Sequence, residues 1–128
     1  MSDKIEYLVE TDILVEHLTG VDSSSKSWLE TAMQKGICFT TVINASELYY
    51  TVKNDDQKKQ VDALLNSLKV LGLHARYSLS ISEFSNNTST VRDALICSVA
   101  KNNKLPILTA ENSRYSGTGI KFIHPDQL

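Results

Sequence analysis

At 128 residues, with 41% hydrophobic and 22% charged residues, the chain suits one globular domain with a real core and leaves little room for two. A formal net charge of −2 does not point to a nucleic-acid binder acting through bulk charge, although a nuclease site made of clustered carboxylates is compatible with an acidic total. Cys38 and Cys97 lie far apart in apolar contexts, as buried thiols of a reducing compartment do, and not as a disulfide framework or zinc site. No apolar run approaches the ~20 residues of a membrane span. Met1-Ser2-Asp3-Lys4 lacks the pattern of a signal peptide, so a cytoplasmic protein is the expectation.

In chain order, Ile5 to Val9 reads as a short buried strand. It ends in Glu10-Thr11-Asp12 and passes into an apolar-periodic helix, Asp12 to Leu18, stopped by Gly20. Asp22-Ser23-Ser24-Ser25 offers N-caps for a helix around Lys26 to Gln34, carrying Trp28, Leu29 and Met33 and ended by Gly36. Ile37 to Thr40 is the second strand. Thr41 or Asn44 caps a third helix, Ala45 to about Lys53. After the turn Asn54-Asp55-Asp56, Val61, Leu64, Leu65 and Leu68 set helical spacing over Gln57 to Leu68. Val70 to Leu73 is a third strand, and His74 to Phe84 a further helix of ambiguous period. Ser85 to Thr90 is a polar loop. Val91 to Asn102 is the clearest helix, with Val91, Ala94, Leu95, Val99 and Ala100 on one face. Leu105-Pro106 leads into a strand at Ile107-Leu108, Glu111 to Gly119 is a loop, and Ile120 to Ile123 is the last strand. This alternation predicts a single α/β domain over residues 1–128, a three-layer α/β/α sandwich on a mostly parallel sheet.

The informative acids stand at strand ends or helix starts: Glu10 after strand one, Glu47 one turn into the third helix, Asp93 in the first turn of the Val91 helix, and Glu111 after strand four. In a parallel sheet these places share one rim, so the four side chains can converge. Converging carboxylates repel unless a cation neutralises them, and an all-oxygen set suits Mg²⁺ or Mn²⁺. Each acid also has a plain structural reading. Thr90 to Asp93 fits a capping box, Glu47 a favourable helix-start charge, and Glu111 a solvated loop position. Glu10 is the hardest to explain so, because an acid ending a buried strand needs a partner. His17, His74 and His124 are not spaced to share a metal. The chain has no glycine-rich phosphate loop, no CxxC and no GxSxG. Asn86-Asn87-Thr88 matches a glycosylation sequon, which has no consequence without secretion.

Taken together, four segments resemble the motifs of a PIN domain, specifically a VapC-type toxin ribonuclease. Tyr7 to Val15 resembles the first, an apolar strand followed by acid-Thr-Asn/Asp and an apolar helix. Thr40 to Tyr50 resembles the second, with Glu47 as its acid. Val91 to Ile96 resembles the Asp-Ala-x-Ile third motif, and Leu105 to Thr109 with Glu111 the fourth. The likeness spans nearly the whole chain, in order and spacing. It departs at Glu10, where the family carries Asp, at Glu111 for Asp or Asn, and at Arg114, where Asp or His is common. The longer Glu10 side chain moves its carboxylate by about an ångström, a displacement that can cost ~10²-fold in rate.

The resemblance implies metal-assisted hydrolysis of an RNA phosphodiester. Glu10, Glu47, Asp93 and Glu111 would be catalytic and, with Asp12 as a substitute ligand, would hold one or two Mg²⁺ or Mn²⁺ ions. Thr11 and Thr109 would orient the carboxylates, and Lys53, Arg92, Lys101 and Arg114 are candidate contacts to the RNA backbone. Arg114 could instead neutralise the acids. A cognate antitoxin and a homodimer are further implications. The competing reading is a degenerate PIN-like domain that binds RNA or a protein without cutting. A phosphotransfer receiver fits poorly, because Lys104 precedes its strand instead of following it.

Overall fold

The computed structural model describes residues 4–20 and 25–128. Strand β1 (Ile5–Val9) leads into helix α1 (Thr11–Thr19), and α2 (Trp28–Lys35) into β2 (Gly36–Thr41). Then come α3 (Val42–Tyr50), α4 (Asp55–Asn66) and β3 (Lys69–Leu71). A 3-10 segment (Ala75–Glu83), α5 (Val91–Asn103), β4 (Ile107–Leu108), a 3-10 turn (Asn112–Tyr115) and β5 (Phe122–Ile123) follow, and a last 3-10 turn spans Pro125–Gln127.

The sheet runs β3-β2-β1-β4-β5, and every pairing is parallel. Alternation along β1 sorts the core into two layers. Tyr7 and Val9 pack with Ile13, Leu14, Leu29, Leu48 and Leu64 from α1 to α4. Leu8, on the other face, packs with Ile96, Val99, Tyr77, Phe84 and Tyr115, beneath α5 and the 3-10 segments. The expected α/β/α sandwich is therefore present. Gly36 opens β2 directly opposite Ile5, and a Cβ there would overlap the Ile5 carbonyl.

Several local expectations shift. Helix α3 begins at Val42, three residues before the expected Ala45, because Thr41 takes the N-cap and Asn44 completes the capping box from inside the first turn. Helix α2 is capped by Ser27 with Glu30, later than the serine run suggested; Asp22, Ser23 and Ser24 lie outside the described residues. His74 to Phe84 is a 3-10 segment and not an α-helix, burying Tyr77 and Phe84 while Leu79 is exposed. Gly20 ends α1 in extended backbone (φ −62°), so no left-handed glycine cap forms there. At the end of α5 that left-handed position is taken by Lys104 (φ 55°). Strand β3 starts one residue early and is shorter than expected, an edge with Lys69 and Val70 exposed.

Sheet order places β1 centrally, with the chain crossing first to β2 and later to β4 on its other side. The carboxyl end of β1 is thus a switch point of the sheet, where a crevice opens in folds of this kind. Glu10 is the residue that leaves it.

Candidate functional site

Glu10 follows β1 directly and is the N-cap of α1, and it is 2% exposed. Buried there, its carboxylate must be met from within the protein. Asn44 Nδ2 donates to Oε1 at 2.9 Å, and the Tyr115 hydroxyl donates to Oε2 in a short bond. Arg92 closes the remaining positions in a two-pronged grip, with its terminal nitrogens 2.8 Å from Oε1 and 2.8 Å from Oε2.

The same guanidinium collects the other acids. It lies 2.8 Å from Glu47 Oε1 and 3.3 Å from Glu47 Oε2, and 3.0 Å from Asp93 Oδ1. Residues from α1, α3 and α5 therefore meet around one cation. Thr11 holds Glu47 in place, its hydroxyl donating to Oε1 at 2.6 Å while accepting from Asn44 Nδ2 at 2.9 Å. Thr90 caps α5 by accepting from Asp93 N, so the capping geometry read from the sequence and the converging carboxylate coexist in one residue. Glu111 joins at the margin, bound by Arg114 at 2.8 Å and 56% exposed. Arg114 also lies 3.7 Å from Glu10 and 3.9 Å from Asp93.

Asp12 stands apart. Its carboxylate accepts from Ile13 N, the Thr109 hydroxyl and Ala110 N, tying the start of α1 to the end of β4. Thr109 accordingly orients Asp12 and, at 3.1 Å, accepts from Glu111 N. The histidines serve elsewhere. His17 bonds Ser27, while His74 and His124 accept from backbone N–H groups at the starts of their 3-10 turns. Lys101 is paired with Glu83, away from the acids, and Lys53 is exposed.

The electrostatics follow from these contacts. Burial pushes the Glu10 carboxyl up, but Arg92, Tyr115 and Asn44 outweigh it and hold the group below its ordinary range. Glu47 is likewise held down by Arg92 and Thr11 against partial burial. Asp12, half-buried and beside the Glu10 charge, is raised despite its three donors. Tyr115 is raised by burial and by facing Glu10, so it remains a hydroxyl donor. Four carboxylates (Glu10, Glu47, Asp93, Glu111) face two guanidiniums (Arg92, Arg114), leaving −2 over the group.

Three participants escaped the sequence reading: Asn44, Tyr115, and Arg92 as the hub and not a rim contact. One signal was available for Arg92. An arginine in the first turn of a helix opposes the positive end of the macrodipole, an arrangement that needs an acidic partner from elsewhere.

With the guanidinium between the acids, no three of the described His, Cys, Asp or Glu residues form a metal-holding group as arranged. Their donor chemistry nonetheless fits a hard divalent ion. Three carboxylates from separate elements converge on one cation, the Arg92 guanidinium, and their all-oxygen donor set is of the kind that suits Mg²⁺ or Mn²⁺.

The model of one family, the PIN domain, matches residues 7–120. This chain belongs to the PIN domain family. Solved structures similar to this PIN domain include a toxin–antitoxin complex from Klebsiella pneumoniae, with TM-score 0.76 and 16% identity over 95% of this chain and 99% of that one. A DNA-bound VapBC from Salmonella typhimurium gives TM-score 0.78 and 13% identity over 94% and 98%. FitAcB from Neisseria gonorrhoeae gives 0.75 and 14% over 95% and 99%. At such identities the likeness establishes the fold. No curated protein sequence matches this PIN domain.

Proposed function

We propose that the chain is the toxin-type nuclease of a toxin–antitoxin pair, hydrolysing RNA phosphodiester bonds at the pocket formed by Glu10, Glu47 and Asp93. The observation that carries this reading is the gathering of those three carboxylates, 37 and 46 positions apart in sequence, around a single cation at the switch point of a parallel sheet. A pocket of this charge is stable only with positive charge inside it, and phosphate hydrolysis needs such charge.

Glu10, Glu47 and Asp93 would hold Mg²⁺ or Mn²⁺, which when bound supplies an activated water and offsets charge on the attacked phosphate. The protein's own groups do the positioning. Asn44 and Tyr115 fix Glu10, and Thr11 aims Glu47. Arg114, with its side chain 34% exposed at the mouth, would meet a phosphate oxygen, and Glu111 would keep it there. The RNA substrate and the homodimer rest on the motif resemblance. The antitoxin partner is also supported by the toxin–antitoxin assemblies among the solved structures of the same fold.

The test is incubation of the purified chain with structured RNA and with DNA of matching sequence, in Mn²⁺, in Mg²⁺ and in chelator. Cutting confined to RNA with metal, and lost in Asp93→Asn and Glu47→Gln, is the expected result. Equal RNA cutting by wild type and Asp93→Asn would remove the assignment. No cutting by any form, with RNA binding retained, would favour a non-cleaving PIN domain.

A further inference from the structure

We infer that Arg92 is a resident counterion that must leave the pocket before a divalent ion can enter, so that arginine and metal hold the same carboxylates by turns. The inference rests on the proposed metal-dependent reading of this site and concerns how the site is loaded.

The argument begins with the acceptor positions of Glu10. A carboxylate offers about four lone-pair directions. On Glu10 two go to Asn44 Nδ2 and the Tyr115 hydroxyl and two go to Arg92, while Thr11 N adds a long fifth contact to Oε1 at 3.4 Å from fixed backbone. None is left for a metal. One of the donors must therefore yield, and the structure distinguishes them. Asn44 is 1% exposed and locked into the α3 capping box through Thr41; Tyr115 is fully buried in the core beneath α5. Arg92 hangs on a long flexible stem from the first turn of α5, with 21% of its side chain exposed. Only Arg92 has an exit to water along its own side chain.

The exchange is also favourable in charge. The four acids with two guanidiniums stand at −2. Replacing the single charge of Arg92 by a divalent ion moves the group toward neutrality, and Arg114 keeps its place beside Glu10 and Asp93. Without either cation, Glu10 would be a buried charge with no cation bonded to its carboxylate and only Arg114 near it, at 3.7 Å. Arg92 thus keeps the metal-free protein folded while competing with the ion for the site.

The experiment is calorimetric titration with Mn²⁺, paired with thermal unfolding with and without Mn²⁺, on wild type, Arg92→Gln and Arg92→Lys. The inference expects Arg92→Gln to bind Mn²⁺ at least about tenfold more tightly than wild type. Without metal its melting temperature should fall by about 10 °C, and Mn²⁺ should restore it. Arg92→Lys retains a charge but cannot grip both Glu10 oxygens, and should fall between the two. It also carries the test if Arg92→Gln fails to fold. Tight Mn²⁺ binding by wild type that neither variant improves would overturn the inference and leave the metal-dependent reading standing. Weaker binding in the variants would make Arg92 a support of the metal site and overturn it as well. No binding in any form would remove the metal-dependent reading itself, and the inference with it.

Discussion

Tyr115 shows how much the site depends on groups that carry no charge. It is fully buried, and its hydroxyl donates to Glu10 while accepting from Arg92 at 3.2 Å. Tyr115→Phe keeps the ring in the core and removes only that link, leaving one acceptor direction of a buried carboxylate unfilled. A loss of about 1–3 kcal/mol is expected in urea unfolding, with an unchanged dependence on denaturant. Unchanged stability would mean that Glu10 finds water or another donor. The three central acids were legible beforehand because each follows a strand end or opens a helix, positions that share one rim in a parallel sheet. The groups that bind them were not. Arg92 and Tyr115 meet Glu10 from 82 and 105 positions away, and pairing over such separations leaves no local trace in the chain. Asp12 was legible as an acid at the rim but not as a tie to β4, because its partners are two backbone N–H groups and a hydroxyl.

At the scale of elements, helix α3 couples local folding to the site. Thr41 is completely buried; its hydroxyl accepts from Ile43 N and Asn44 N and donates to Asn44 Oδ1 at 2.6 Å. The other end of the Asn44 amide serves Glu10 and Thr11. Thr41→Ala therefore removes a helix cap and frees the side chain that steadies Glu10. Its cost should lie near 2 kcal/mol, the upper end for an N-cap. Combined with Tyr115→Phe, the two losses should not add, because both act through Glu10; a strictly additive double variant would argue against that coupling. Caps and the apolar faces of α4 and α5 were legible because they are written within a turn or two of sequence. The 3-10 segment Ala75–Glu83 was not, since its buried residues, Tyr77 and then Phe84 just after it, follow no single period. Strands β4 and β5, two residues each, are defined by their pairing more than by composition.

Across the whole molecule, the two cysteines report on both halves of the core at once. Cys38 lies on β2 in the layer covered by α1 to α4, and Cys97 lies on α5 in the opposite layer. Burial pushes the Cys38 thiol from 9.0 up to about 11 and the Cys97 thiol up to about 12. Thiols raised in this way stay protonated in the folded protein while those of the unfolded chain ionise first. Their stabilising contribution is complete below pH 9.0 and is lost as the pH climbs through the folded values near 11 and 12. Unfolding free energy measured in urea should therefore fall over that alkaline window. The fall should be shallower in a Cys38→Ala, Cys97→Ala double variant, whose absolute stability is lower because two buried groups are truncated. Alkylation at pH 8 adds a second readout. If the sheet binds both layers into one cooperative unit, the two thiols react at a common rate set by global unfolding. A Cys97 that reacts much faster than Cys38 would show instead that α5, and with it Arg92 and Asp93, opens ahead of the rest of the sheet.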